Sequence, residues 1–208
     1  PKLCFICNPN NPTGTIIPNQ LLESIIHKYP ETGFVVDEAY LPFIPDKNTI
    51  YNEKLDNLLV LHSLTKDYAL AGIRLGYVIG NQKAISVVSK VLPAWSVNSI
   101  AQAAGAVALS TSEFMAESNH KLITEKEILV SELELSGFII PHSKTHYFIM
   151  KVGKASDFRQ NLLLKHRIQV RDCTSFGLPE YVRISTRKKE DNQKLVFAIN
   201  DLINQDLY

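Results

Sequence analysis

The run NLLVLHSLTKDYALAGIRLGYVIG, residues 57–80, reads as a short apolar strand, a loop and a second apolar segment. Lys66 stands just past the end of the first strand, and Arg74 lies eight residues on, flanked by glycines. Ser63 and Thr65 precede the lysine. A lone lysine is ordinarily solvated. To act as a nucleophile it must be partly desolvated or stand near other positive groups, so that some neutral amine exists. Arg74 supplies such a field. With the hydroxyls of Ser63 and Thr65 and the N–H groups of the loop, it also makes a phosphate site.

Working outward, KLCFIC (2–7) reads as a buried strand stopped by the turn-rich NPNNPTG (8–14). PNQLLESIIHKY (18–29) reads as a helix with proline near its start, and GFVVDEAY (33–40) as a strand ending in acids. Strand, helix, strand, connection, strand predicts an α/β unit with a mostly parallel sheet. Ligands of such sheets gather at the carboxyl ends of the strands. Asn11, Asp37 and Lys66 all lie at or just past such ends. An aspartate there can pair with a protonated ring nitrogen and make a heteroaromatic ring an electron sink. Tyr40 and Asn11 offer hydrogen bonds to a ring oxygen. Taken singly, Asp37 is explained as a helix N-cap and NPNNPTG as a plain loop. Taken together, four such accidents on successive strand ends are a poor explanation, and a site is expected.

Further on, residues 82–92 read as a helix, and SVNSIAQAAGAVAL (96–109) as a small-residue helix suited to tight packing. Residues 111–135 carry the period of a long amphipathic helix, which Gly137 ends. Then HYFIMKV (146–152), IQVRDC (168–173) and EYVRIST (180–186) read as strands, with SDFRQNLLLKH (156–166) and KEDNQKLVFAINDLI (189–203) as helices. This is a compact α+β segment. A boundary is expected near residue 115, giving domains 1–115 and 116–208 with the long helix as bridge.

The 208 residues are 45% apolar and 21% charged with a net charge of +1, ordinary globular values with enough chain for a real core. Nothing points to nucleic acid or an anionic membrane surface, and the longest apolar runs are too short to span a bilayer. The opening PKLCFICNPNNPTG lacks the features of a signal peptide and starts within a strand, so a piece of a longer protein is expected. Three cysteines, Cys4, Cys7 and Cys173, fit a reducing, cytoplasmic setting. Cys4 and Cys7 point to opposite faces of a strand, so buried core thiols are expected and no metal site.

The motifs NPNNPTG (8–14), DEAY (37–40), SLTK (63–66) and GIRLGY (72–77) resemble, in order and spacing, those of the fold-type I pyridoxal phosphate enzymes. The likeness is to the class I/II aminotransferases, in the histidinol-phosphate aminotransferase branch. It spans nearly the whole chain and corresponds to the carboxyl-terminal part of such an enzyme. It implies a pyridoxal phosphate-dependent transferase fold with a small C-terminal α+β domain. It implies that Lys66 holds the cofactor covalently as a Schiff base and that Asp37 pairs with its pyridine nitrogen. Tyr40 and Asn11 would bind the ring hydroxyl, and Ser63 and Arg74 the phosphate, with Thr65 helping. It also implies a homodimer with shared active sites, and a ring-stacking aromatic upstream of this chain.

In the family an arginine in a late strand binds the substrate carboxylate, and YVRIST places Arg183 there. PAWSVNSIA (93–101), VRDC (170–173) and Arg187 resemble the threonine-phosphate decarboxylases of cobalamin biosynthesis. A second arginine beside the carboxylate anchor makes physical sense for a phosphorylated amino acid. His146 stands where the family usually has Asn, and is expected to touch substrate or alter specificity. The resemblance implies a decarboxylase of phosphorylated threonine, with histidinol-phosphate transamination second and a non-catalytic cofactor-binding module a remote third. The choice rests on which bond at the substrate's Cα is held perpendicular to the ring. Trp95 reads otherwise as a packed core aromatic, Arg187 as a solvated charge and His62 as structural.

Overall fold

A computed structural model of the chain describes residues 1–52, 54–205 and 207; of Ser112, inside a helix, it describes the backbone only. The chain divides into two units: Pro1–Asn11 with Ile16–Glu117, and Pro12–Thr15 with Ser118–Tyr208.

In the first unit β1 (Leu3–Cys7), α1 (Asn19–Lys28), β2 (Gly33–Asp37) and β3 (Leu58–Ser63) are followed by the short α2 (Leu64–Asp67) and β4 (Gly76–Gly80). The helices α3 (Gln82–Ser89) and α4 (Ser99–Leu109) complete it. The sheet order is β1-β2-β3-β4, parallel across the first three strands and antiparallel between β3 and β4. Alternation along the strands sends Phe34, Val36, Leu58 and Val60 to one face, where they pack with Leu22 and Ile26 of α1. The register brings Cys7, Asp37 and Leu61 level at one end of the sheet.

Two asparagine side chains, Asn8 buried and Asn57 half-buried, hold the connections. The Asn8 side chain donates to the Ile17 carbonyl at 3.0 Å and accepts from the Ile17 N–H at 2.7 Å, closing the 8–17 loop on itself. Asn57 aims its amide at the carbonyls of Ile26, Tyr29 and Thr32, which end α1, and so ties that end to the start of β3.

The helix α5 (Ser112–Leu135) contributes residues to both units. Its end is a Schellman arrangement: Gly137 N–H donates to Glu134 O and Phe138 N–H to Leu133 O, with Gly137 at φ 92°. In the second unit β5 (Tyr147–Lys151), α6 (Ala155–His166), β6 (Arg171–Asp172), β7 (Tyr181–Ser185) and α7 (Lys189–Asn204) follow. The sheet order is β5-β7-β6, all antiparallel. Its core joins Leu129 and Leu133 of α5, Phe148 and Met150 of β5, Phe158 of α6 and Ile199 of α7. Residues 12–15 also belong to this unit. Lys144 N–H donates to Gly14 O at 2.9 Å, and a Cβ on Gly14 would come within 2.8 Å of Thr145 Oγ1. Gly14 also sits at φ +68°, so the position calls for glycine twice over.

Four expectations need correction. The strand expected over 168–173 is laddered only at Arg171 and Asp172, because Cys173 turns away into the 174–176 turn. The helix expected to residue 92 ends at Ser89: Lys90 and Val91 bond three residues back, and Pro93 cannot continue it. Cys4 and Cys7 are half-buried, and only Cys173 is buried. Trp95 is 96% exposed, in a loop at positive φ, and packs into no core among the described residues.

Candidate active site at the strand ends

In the first unit the site builds from β3. Ser63 caps the turn that follows, accepting from the Thr65 N–H at 3.3 Å. Its hydroxyl lies 2.7 Å from Thr65 Oγ1, which accepts from Lys66 Nζ at 3.0 Å. Lys66 is itself exposed, and its ammonium lies 5.8 Å from the centre of the Tyr40 ring. The loop closes where Leu64 N–H meets Leu75 O at 3.1 Å, so Lys66 and Arg74 emerge from one closed turn. Arg74 is exposed, in left-handed backbone at φ 59°, and its guanidinium donates to Ala71 O at 2.9 Å.

Asp37 ends β2. One carboxylate oxygen accepts from the Ala39 N–H at 2.9 Å, which fixes the side chain against the turn carrying Tyr40. Asp37 O accepts from Asn8 N–H at 2.9 Å, drawing the Asn8–Asn11 loop to the same strand end. Cys7 stands opposite Asp37. Burial pushes its thiol up, the Asn11 backbone N–H pulls it down, and the Asp37 charge adds to the rise. Asn11, Asp37, Tyr40, Ser63, Thr65, Lys66 and Arg74 thus cluster around one end of one sheet. Glu38 and His62 face away from it: Glu38, 1% exposed, accepts from Ile50 N–H at 2.7 Å and lies 3.2 Å from His62 Nε2. His62 stacks on Tyr77 with ring centres 5.0 Å apart.

The donor set suits pyridoxal phosphate. It offers a primary amine for an aldehyde, a carboxylate for a ring nitrogen, and a phenol and an amide for a ring oxygen. Two hydroxyls and a guanidinium remain for a phosphate. No group of three or more metal-ligating side chains occurs among the described residues.

The second unit holds the remaining candidates. Arg183 lies on β7 with its guanidinium 5.2 Å from the centre of the Tyr147 ring. Arg187, just past β7, is exposed and pairs with Asp191 at 3.0 Å. Both line one cleft, together with Arg159 and Arg171. Arg171 sits directly opposite Arg183 in the antiparallel ladder. Like charges so placed repel, and an anion between them would relieve it. The sequence offered one signal for Arg171, its place in VRDC, and none for Arg159. His146 is half-buried, near enough to Arg183 to feel its charge. Burial, helped by the charges of Arg183 and Lys126, pushes its imidazole down to about 4.

Comparison with known proteins bears on the chain as a whole. Residues 1–199 match the family model for aminotransferase class I and II. The chain belongs to that family, whose members are pyridoxal phosphate-dependent enzymes. Histidinol-phosphate aminotransferase of Methanosphaera stadtmanae is 35% identical over 208 residues, covering 97% of this chain and 56% of that protein. The adenosylcobalamin biosynthesis bifunctional protein CobDQ of Leptospira interrogans is 31% identical over 206 residues, covering 96% of this chain and 24% of that protein. The crystal structure of L-threonine-O-3-phosphate decarboxylase from Porphyromonas gingivalis superposes with a TM-score of 0.89 at 25% identity, covering 98% of this chain and 65% of that one. The chain thus spans about half the length of the histidinol-phosphate aminotransferase it matches. No helix among the described residues is long and apolar enough to cross a membrane.

Proposed function

We propose that the chain is the cofactor- and substrate-anchoring part of a pyridoxal phosphate enzyme that acts on a small phosphorylated amino acid. Decarboxylation of threonine O-3-phosphate is the first reading. The bound cofactor supplies an electron sink for the carbon that bears the substrate amine. Lys66 Nζ would hold the cofactor aldehyde and would serve to move a proton at the substrate's Cα. Asp37 keeps the ring nitrogen protonated. Tyr40 and Asn11 fix the ring oxygen, and Ser63, Thr65 and Arg74 hold the phosphate. Arg183 and Arg187 orient the substrate, with His146 a neutral hydrogen-bonding partner. In decarboxylation the Cα–carboxylate bond breaks, CO2 leaves, and a proton takes its place.

The observation that carries the first reading is the shared cleft of Arg171, Arg183 and Arg187. Threonine phosphate brings two anions, a carboxylate and a phosphate, to such a set. Histidinol phosphate brings one. Its transamination is the second reading, favoured by the 35% identity to an aminotransferase of that name. The working enzyme is read as a homodimer with neither nucleic acid nor membrane as partner. The test supplies O-phospho-threonine to the protein loaded with pyridoxal phosphate. Release of CO2 with aminopropanol phosphate is the expected result. Amino transfer from histidinol phosphate to 2-oxoglutarate without CO2 reverses the ranking.

A further inference from the structure

Lys126 lies half-buried on α5, where burial above all, with the Lys144 charge, lowers its affinity for a proton against the opposing pull of Glu127. An ammonium at that depth must find acceptors. It finds two backbone carbonyls, Ser143 O and Thr145 O, each at 3.0 Å. Glu127 and Lys144 are the charged groups that also act on it.

The turn it grips is buried and closely tied. Ser143 Oγ donates to Tyr147 O at 2.5 Å, and Thr145 Oγ1 donates to the same carbonyl at 3.0 Å. The next residue is His146, whose carbonyl accepts from Thr186 N–H at 2.9 Å. After it comes Tyr147, whose ring carries the Arg183 guanidinium. The His146 and Tyr147 rings meet edge to face, 5.3 Å apart. His146 and Tyr147 are thus held between the β5–β7 ladder on one side and the turn that Lys126 grips on the other. A neutral donor would serve two carbonyls at a smaller desolvation penalty. A charged one also adds to the positive field at Arg183.

We propose that Lys126 is a positioning residue: by gripping the carbonyls of Ser143 and Thr145 it sets His146 and Tyr147 against Arg183, and so fixes how the substrate's oxyanion is received. The proposal rests on the reading of Arg183 as the oxyanion anchor. It involves no contact between Lys126 and substrate.

The experiment compares Lys126→Met, Lys126→Arg and Arg183→Ala in the cofactor-loaded protein. The substrate is whichever of O-phospho-threonine and histidinol phosphate it turns over. Lys126→Met should raise KM about tenfold with kcat within about threefold, and Lys126→Arg should restore most of it. Cofactor affinity, read by absorbance, should stay within about twofold, because the cofactor candidates lie in the other unit. The NMR titration midpoint of His146 should rise in Lys126→Met as the turn relaxes and a cation is lost. Unchanged KM and an unchanged His146 midpoint in Lys126→Met overturn the inference. An unchanged KM in Arg183→Ala overturns the reading of Arg183 instead, and the His146 midpoint then still decides Lys126. Should Lys126→Met fail to fold, Lys126→Gln keeps a donor without the charge and is judged by the same two measurements.

Discussion

Lys66 is exposed, hydrogen-bonded to a hydroxyl and paired with no carboxylate in the described contacts. On the reading above its replacement by Ala should abolish the fraction of cofactor fixed by borohydride, while thermal stability without cofactor changes little. Retention of borohydride-fixed cofactor would remove the covalent role from Lys66. His146 yields a second residue-scale prediction. Its folded pKa, about 4, lies below the usual histidine value of 6.5. Above pH 6.5 neither state binds the proton. As pH falls towards 4 the unfolded chain takes it up first, so stability drops, by up to about 3 kcal/mol. Urea unfolding of His146→Asn at pH 7, 5 and 4 should lack this loss; an equal loss in wild type and variant would contradict it. That the candidate residues gather at one end of the sheet was legible in the sequence, because an amine, a carboxylate and hydroxyls at successive strand ends have few structural uses. Arg171 was harder to read. Its place beside Arg183 arises from strand register, which residue types do not encode.

At the scale of elements, α5 is the best test of the packing account. Leu133 is fully buried in the second unit's core, and Gly137 ends the helix in left-handed backbone. Leu133→Ala should cost about 2–5 kcal/mol and Gly137→Ala about 1 kcal/mol, read as shifts in urea midpoint at constant slope. A Gly137→Ala cost near zero would mean that the Schellman turn relaxes freely. The limits of α5 were legible because a long amphipathic period met a glycine at its end. The limits of β6 were not, because IQVRDC has apolar content enough for a strand while its partner offers only two paired positions. The roles of Asn8 and Asn57 were equally hidden: Asn8 reads as a turn residue and Asn57 as the opening of a strand, yet Asn8 closes its own loop on Ile17 and Asn57 ties the end of α1 to β3.

For the molecule as a whole, the first unit shows an asymmetry. One face of its sheet packs on α1, while Leu3 and Phe5 on the other are 52% and 71% exposed. Trp95, Val91 and Ile100 add to the exposed apolar surface of the same unit. Parallel sheets are ordinarily covered on both faces. The 208-residue chain alone should therefore bind a hydrophobic dye such as ANS and self-associate as concentration rises. Weak dye binding and a concentration-independent monomer in sedimentation would contradict this.

The small loop 12–15 has a consequence for the order of assembly. It leaves the ribosome long before the turn it packs on, Ser143–Thr145, is synthesised. The second unit is therefore begun before most of the first is made and completed only after it. A nascent chain stopped before that turn must carry Gly14 with its native partners still unmade. Protease cleavage within 12–15 should accordingly fall off only when translation has passed Tyr147.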